Sequence, residues 1–136
     1  MKEETYKSDC VIIKHDAKKA GLHYDLRIAI EDNVYFSFRL KYDATKELSV
    51  PYAKGKIVAI RTTDHTKKEA YFTGTIPEGE YGAGTLKKYV SSQIELRTDK
   101  KSKMVFHHTS GKYKNETWVL IKMSDTIWML FKTRLK

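Results

Sequence analysis

Leu22-His23-Tyr24-Asp25-Leu26-Arg27-Ile28-Ala29-Ile30 decides how this chain is read. Leu22, Tyr24, Leu26, Ile28 and Ile30 alternate with His23, Asp25, Arg27 and Ala29. That period of two belongs to a strand with one apolar face, whereas a helix would repeat every three or four residues. Working outward, Val34, Phe36, Phe38 and Leu40 alternate in the same way with Tyr35, Ser37 and Arg39, and Glu31-Asp32-Asn33 between the two runs is turn chemistry. A hairpin is expected there. Further strands are expected over Cys10 to Ile13, Lys56 to Thr62, Ala70 to Thr75, Thr85 to Tyr89, Gln93 to Arg97, Lys103 to His108, Thr117 to Met123 and Thr126 to Thr133. The best helical window, Asp16 to Ala20, is one turn at most and stops at Gly21. About ten short strands with one helical turn predict an all-β fold, a barrel or a sandwich.

The chain has 136 residues, enough for one domain with a real core and too few for two enzymatic domains, so residues 1–136 are read as one unit. With 40% hydrophobic and 12% aromatic residues and only two prolines, it is neither disordered nor low-complexity. Lys plus Arg number 26 and Asp plus Glu 17, for a net charge of +9. Such a surface attracts polyanions, with nucleic acid first among them. No run approaches the roughly 18 apolar residues of a membrane span, and Met1 to Cys10 lacks the apolar core of a signal peptide, so a cytoplasmic protein without a membrane partner is expected. Cys10 is the single cysteine, which excludes an internal disulfide and a cysteine-based zinc cluster. Any metal must be held by His, Asp or Glu.

His23, Asp25 and Arg27 occupy alternate positions of one strand and therefore share a face. An imidazole beside a carboxylate is a ligand pair that suits manganese, iron or zinc, and the arginine fork one step on matches a phosphate. The plain alternative is the solvated face of an amphipathic strand, with Asp25 and Arg27 paired across the pleat. His15, just after a short apolar strand, becomes a third ligand if the chain turns back through Gly21. His65, beside Asp64 at the end of a strand, suits phosphate binding or proton donation. His107 and His108 are adjacent on a strand and face opposite sides. Arg39, Lys41, Lys54 and Lys56 are candidate phosphate contacts of the basic surface. Tyr24, Tyr35, Trp118 and Trp128 read as core or strand-face residues. The glycine-rich stretch Gly74 to Gly84 lacks the lysine and following helix of a P-loop and reads as an irregular tight turn between strands.

Lys14-His15-Asp16-Ala17, Leu22 to Arg27, Asp64-His65 and Ile76-Pro77-Glu78-Gly79-Glu80-Tyr81-Gly82-Ala83-Gly84 together resemble the 3′-phosphoesterase domain of bacterial DNA ligase D and its free-standing relatives. The likeness continues through Trp118 to Lys122 and Trp128 to Lys132. It implies a compact β-barrel of roughly eight to ten short strands, whose mouth holds one Mn²⁺ on His15, His23 and Asp25, with Zn²⁺ or Co²⁺ as other ions for the same donors. It implies that Arg27 and His65 contact the substrate phosphate, and that Lys41 and Lys56 match a further lysine and an arginine of the family's site. Members act on DNA 3′ ends, including ends that carry RNA, on a primer-template. They remove a terminal ribonucleoside to leave a 3′-phosphate and hydrolyse that phosphate to a 3′-hydroxyl. A monomer working beside a separate DNA ligase in trans is the implied setting. Thr63 stands where the family has an acid and Glu69 where it has a tyrosine, so the phosphomonoester step is expected ahead of the ribonucleoside step. Two alternatives remain at the level of sequence: a non-catalytic nucleic-acid-binding barrel, and a non-haem iron oxygenase built on a 2-His-1-carboxylate set.

Overall fold

The computed structural model describes residues 4–42, 48 and 55–133; Lys54 lies outside them. In chain order the elements are β1 (Glu4–Ala17), β2 (Gly21–Glu31), β3 (Val34–Leu40), β4 (Lys56–Arg61), α1 (Lys67–Ala70), β5 (Gly74–Ile76), β6 (Gly84–Thr98), β7 (Lys103–His108), β8 (Thr117–Lys122) and β9 (Ile127–Thr133). Hydrogen-bonded neighbours run β1-β2-β3-β4-β9-β8-β7-β6, and β6 returns to pair with β1. Eight antiparallel strands thus close a barrel and leave no free edge between first and last. The short β5 adds to the other edge of β6 at Gly84, Thr85 and Leu86, beside the stretch from Ile94 on that carries β7. No helix among the described residues is long and apolar enough to cross a membrane.

The alternation read in the sequence is the alternation of the wall. Cys10 and Ile12 of β1, Tyr24, Leu26 and Ile28 of β2, and Phe38 and Leu40 of β3 point inward and meet Phe106, Trp118 and Leu130 in one buried cluster. Each fully buried apolar side chain of this kind contributes about 1.5–3 kcal/mol. Tyr24, Tyr35, Trp118 and Trp128 are all buried, as their positions suggested. The hairpin of β2 and β3 turns through Asp32 and Asn33, with Asn33 in the left-handed region at φ 57°.

Three expectations are corrected. Asp16 and Ala17 complete β1, and residues 18–20 form the turn of a hairpin, so the helical window over Asp16 to Ala20 does not form. Its apolar content is too low to hold a helix, and pairing of Asp16 and Ala17 with both β2 and β6 satisfies their backbone instead. Ala70 to Thr75 is not a strand: Ala70 ends α1, and β5 begins at Gly74. Thr85 to Tyr89 and Gln93 to Arg97 belong to one 15-residue strand, β6, because β1 supplies a partner along its whole length.

Candidate metal centre and anion cleft

The outward positions of β1 to β3 are not left to solvent. Val11 and Ile13 pack with Leu86, Tyr71 and Ile76, and Ala29 and Tyr35 pack with Ala70 and Tyr71. Residues 65–83, with α1 and β5, therefore form a second layer over the outer wall. Tyr35 and Tyr71 both donate hydrogen bonds to the Asp9 carboxylate and tie that layer down. Against this wall the register sets His15 opposite His23, Ile13 opposite Asp25 and Val11 opposite Arg27. On the other side of β2, Arg39 stands opposite Asp25 and Ser37 opposite Arg27.

His15, His23, Asp25 and Arg27 are 8%, 5%, 7% and 6% exposed, which rules out the solvated amphipathic face. The mouth of the barrel is not where they meet either. They project from the outside of the wall, because Tyr24 and Leu26 on the alternate positions of the same strand fill the interior.

The outer nitrogen of each imidazole is committed. His15 Nε2 donates to the Gly82 carbonyl at 2.9 Å and His23 Nδ1 to the Gly21 carbonyl at 3.1 Å. A carbonyl only accepts, so both rings carry their proton there and turn a lone pair the other way. Those lone-pair atoms, His15 Nδ1 and His23 Nε2, lie 3.9 Å and 3.5 Å from Asp25 Oδ2. The distances are long for hydrogen bonds. They are close to the roughly 3.4 Å that separates two ligands bound about 2.1 Å from one ion at a tetrahedral angle. All three donor atoms fall within 4.8 Å of one another. His23 Nε2 is buried without a hydrogen-bond partner, a cost that a cation at the centre removes. The residues present therefore fit a divalent metal with two nitrogen ligands and one oxygen ligand. Burial, with His23 alongside, holds the His15 imidazole below its ordinary pKa and keeps its lone pair free, opposing the bond to Gly82.

Glycine makes this geometry attainable at one point in particular. Gly84 has φ 139°, and a Cβ there would meet the Asp16 carbonyl oxygen at 2.2 Å. Its bare backbone lets the loop 77–83 lie against the end of β1, where the Ala83 carbonyl accepts from the Lys18 amide at 2.9 Å and Gly82 reaches His15. Of the glycine-rich stretch, Gly74–Ile76 form β5 and only residues 77–83 make the turn into β6, where the Gly82 carbonyl fixes the tautomer of His15.

Arg27 Nη1 donates to the Glu69 and Ala70 carbonyls, each at 3.0 Å, at the end of α1. Its Nη2 lies 3.7 Å from Asp25 Oδ2. Desolvation lowers its pKa while Asp25 and Glu69 oppose the shift. His65 joins the site because its backbone bridges to Tyr35 at the edge of β3. Burial, and next the Arg27 charge, press its pKa below the ordinary value. Thr66 and Glu69 close a capping box at the start of α1, and the Glu69 carboxylate stays 4.0 Å from His65 Nδ1. The signal for this helix was present in Thr66-Lys67-Lys68-Glu69, a capping-box spacing. The apolar run after it favoured a strand.

His15, His23, Asp25, Arg27 and His65 open on one cleft of about 850 Å³, bordered by loop 77–83 and by residues 18–20. Lys41 and Lys56 do not border it. Lys41 follows the last residue of β3 and is exposed, and Lys56 stands over the Phe131 ring of β9 at 5.9 Å. The cationic side chain that the neighbouring strand brings into the cleft is Arg39.

The molecule is of a recognisable class: a closed barrel that carries, on its outer wall, a buried ligand triad beside an anion-receptive cleft. The profile of the DNA ligase D 3′-phosphoesterase domain family matches residues 13–122, and the chain belongs to that family of DNA end-processing domains. Among curated proteins it is similar to a multifunctional non-homologous end joining protein LigD of Mycolicibacterium smegmatis, 39% identical over 85 residues, 62% of this chain and 10% of the relative. It is also similar to the proteins of that name from Mycobacterium bovis, 39% identical over 54% of this chain and 9% of the relative, and from Pseudomonas aeruginosa, 40% identical over 52% of this chain and 8% of the relative. The matched stretch thus spans about a tenth of each relative's length.

Proposed function

We propose that this chain is a Mn²⁺-dependent phosphoesterase that heals DNA 3′ ends, removing a terminal phosphate and, secondarily, a terminal ribonucleoside to leave a 3′-hydroxyl for DNA ligation. The observation that carries this reading is the convergence of His15 Nδ1, His23 Nε2 and Asp25 Oδ2, with the opposite ring nitrogens tied to carbonyls. When bound there, the ion supplies Lewis acidity toward a phosphate oxygen and a more acidic water. The chain's own residues do the rest. Arg27, braced by two carbonyls of α1, sets fixed positive charge beside the transferring phosphate and pays no reorganisation when charge builds. His65, held neutral by burial and by Arg27, gains proton affinity when a phosphate dianion offsets that arginine. The proton then sits where the 3′ oxygen leaves as water takes its place on phosphorus. Glu69 is committed to the capping box, which supports ranking the phosphomonoester step above the ribonucleoside step.

The test is to incubate the protein with primer-templates ending in a 3′-phosphate or one ribonucleotide, with Mn²⁺, Zn²⁺, Co²⁺ or chelator, and to resolve the ends. A 3′-hydroxyl product that needs the metal is expected, and His23→Ala should lose both turnover and Mn²⁺ binding measured by calorimetry. Full activity in His23→Ala sinks the metal assignment. Duplex binding without any end conversion supports a non-catalytic nucleic-acid-binding barrel instead.

A further inference from the structure

We infer that Arg39 is a second phosphate-gripping residue of the cleft, supplied by the strand next to the one that carries Asp25 and Arg27. The inference rests on the phosphoesterase reading above and adds to it a side chain that binds the terminal phosphate of the DNA 3′ end.

Arg27 has limited capacity to grip. Its Nη1 protons are both spent on the Glu69 and Ala70 carbonyls, and its Nη2 faces Asp25 at 3.7 Å. Its Nε is buried without a hydrogen-bond partner, so one side of the guanidinium braces α1 and the other is left for a phosphate. Arg39 brings a second guanidinium to the same phosphate from the neighbouring strand. The β2–β3 register sets it directly across from Asp25, so both side chains leave the wall on the same face. It borders the same cleft as the three ligands and His65. Its Nε is buried without a hydrogen-bond partner. An unsatisfied guanidinium nitrogen is costly to bury, and a phosphate oxygen arriving in the cleft satisfies it. Ser37, across from Arg27 on the same strand, also borders the cleft and keeps the floor beside Arg39 small. The two arginines therefore converge on one anion: Arg27 is braced at the floor by α1, Arg39 comes from the side, and each has a buried Nε that a phosphate oxygen satisfies.

The test compares the wild type with Arg39→Gln and Arg39→Lys. Turnover of a 3′-phosphate duplex is measured with Mn²⁺, and the affinities for duplexes ending in 3′-phosphate or 3′-hydroxyl are measured by anisotropy with chelator. In Arg39→Gln, KM for the 3′-phosphate end should rise on the order of tenfold, with a smaller fall in kcat, and the preference for phosphate over hydroxyl ends should shrink by a similar factor. Arg39→Lys should recover part of the charge and little of the end preference. Unchanged KM and end preference overturn the inference. An equal loss on both kinds of end overturns it too, since that marks a general backbone contact. A wild type that prefers phosphate ends but hydrolyses nothing defeats the phosphoesterase reading and leaves the Arg39 grip standing. An active wild type with an unaffected Arg39→Gln defeats Arg39 alone.

Discussion

At the scale of single residues, the same side-chain type is put to opposite uses on the two faces of the wall. His15 and His23 look outward and keep a lone pair free, whereas His108 is buried inward, with its ring 4.3 Å from that of Trp118 and its Nδ1 2.7 Å from Ser92 Oγ. Burial drops the His108 pKa from 6.5 to about 4. The unfolded chain then binds the extra proton first, so stability is held above pH 6.5 and lost as the pH falls toward 4, by about 3 kcal/mol from this group. Urea unfolding across that range should show the loss in wild type and a flatter profile in His108→Gln. Neither the depth of His108 nor the neutrality of its ring is visible in the pair His107-His108, which shows only that they face apart. For His23, Asp25 and Arg27 the period of two was enough to share a face, because strand geometry leaves no other arrangement. Lys41 and Lys56, outside the lining of the cleft, show the converse. Charge alone does not say which wall of a closed barrel a strand end faces.

Among the elements, the smallest carry the site. α1 has four residues, held by Thr66 and Glu69 at its start, and its last carbonyls brace Arg27. Thr66→Ala should cost about 1 kcal/mol in urea unfolding. It should also lower kcat/KM on 3′-phosphate ends while leaving Mn²⁺ affinity unchanged. Gly84 is the opposite kind of joint, a close approach and not a cap. With φ 139° and 2.2 Å from its would-be Cβ to the Asp16 oxygen, Gly84→Ala should cost about 3 kcal/mol or more and loosen Mn²⁺ through the Gly82 bond to His15. Calorimetric titration of Mn²⁺ alongside unfolding separates the two effects. β2 and β3 were legible because apolar and polar residues alternate along them, and β7, β8 and β9 because each is a short run rich in apolar residues. The cover over the site was not, since residues 65–83 hold mixed short pieces whose shape is dictated by the wall beneath them and not by their own pattern.

For the molecule as a whole, the net charge of +9 bears on the proposed nucleic-acid substrate. Binding of a duplex should therefore weaken steeply between about 50 and about 200 mM salt, as counterions cease to be released. On the proposed reading Mn²⁺ affinity should vary far less, because His15, His23 and Asp25 are buried. Equal salt slopes for the two would count against a charge-steered nucleic-acid surface. All-β architecture and closure into a barrel followed from many short alternating runs on one chain of ordinary domain length. Which end or side bore the chemistry did not, because alternation fixes two faces without saying which is lined by a second layer. β1 gives the closing consequence. It is the seam of the barrel, hydrogen-bonded to β2 on one edge and to β6 on the other, and it carries His15. Its 14 residues are paired with β6 from end to end, so hydrogen exchange should be among the slowest there and should change little between Mn²⁺ and chelator. That outcome would make His15, His23 and Asp25 a preformed socket for the proposed ion, filled and emptied without refolding.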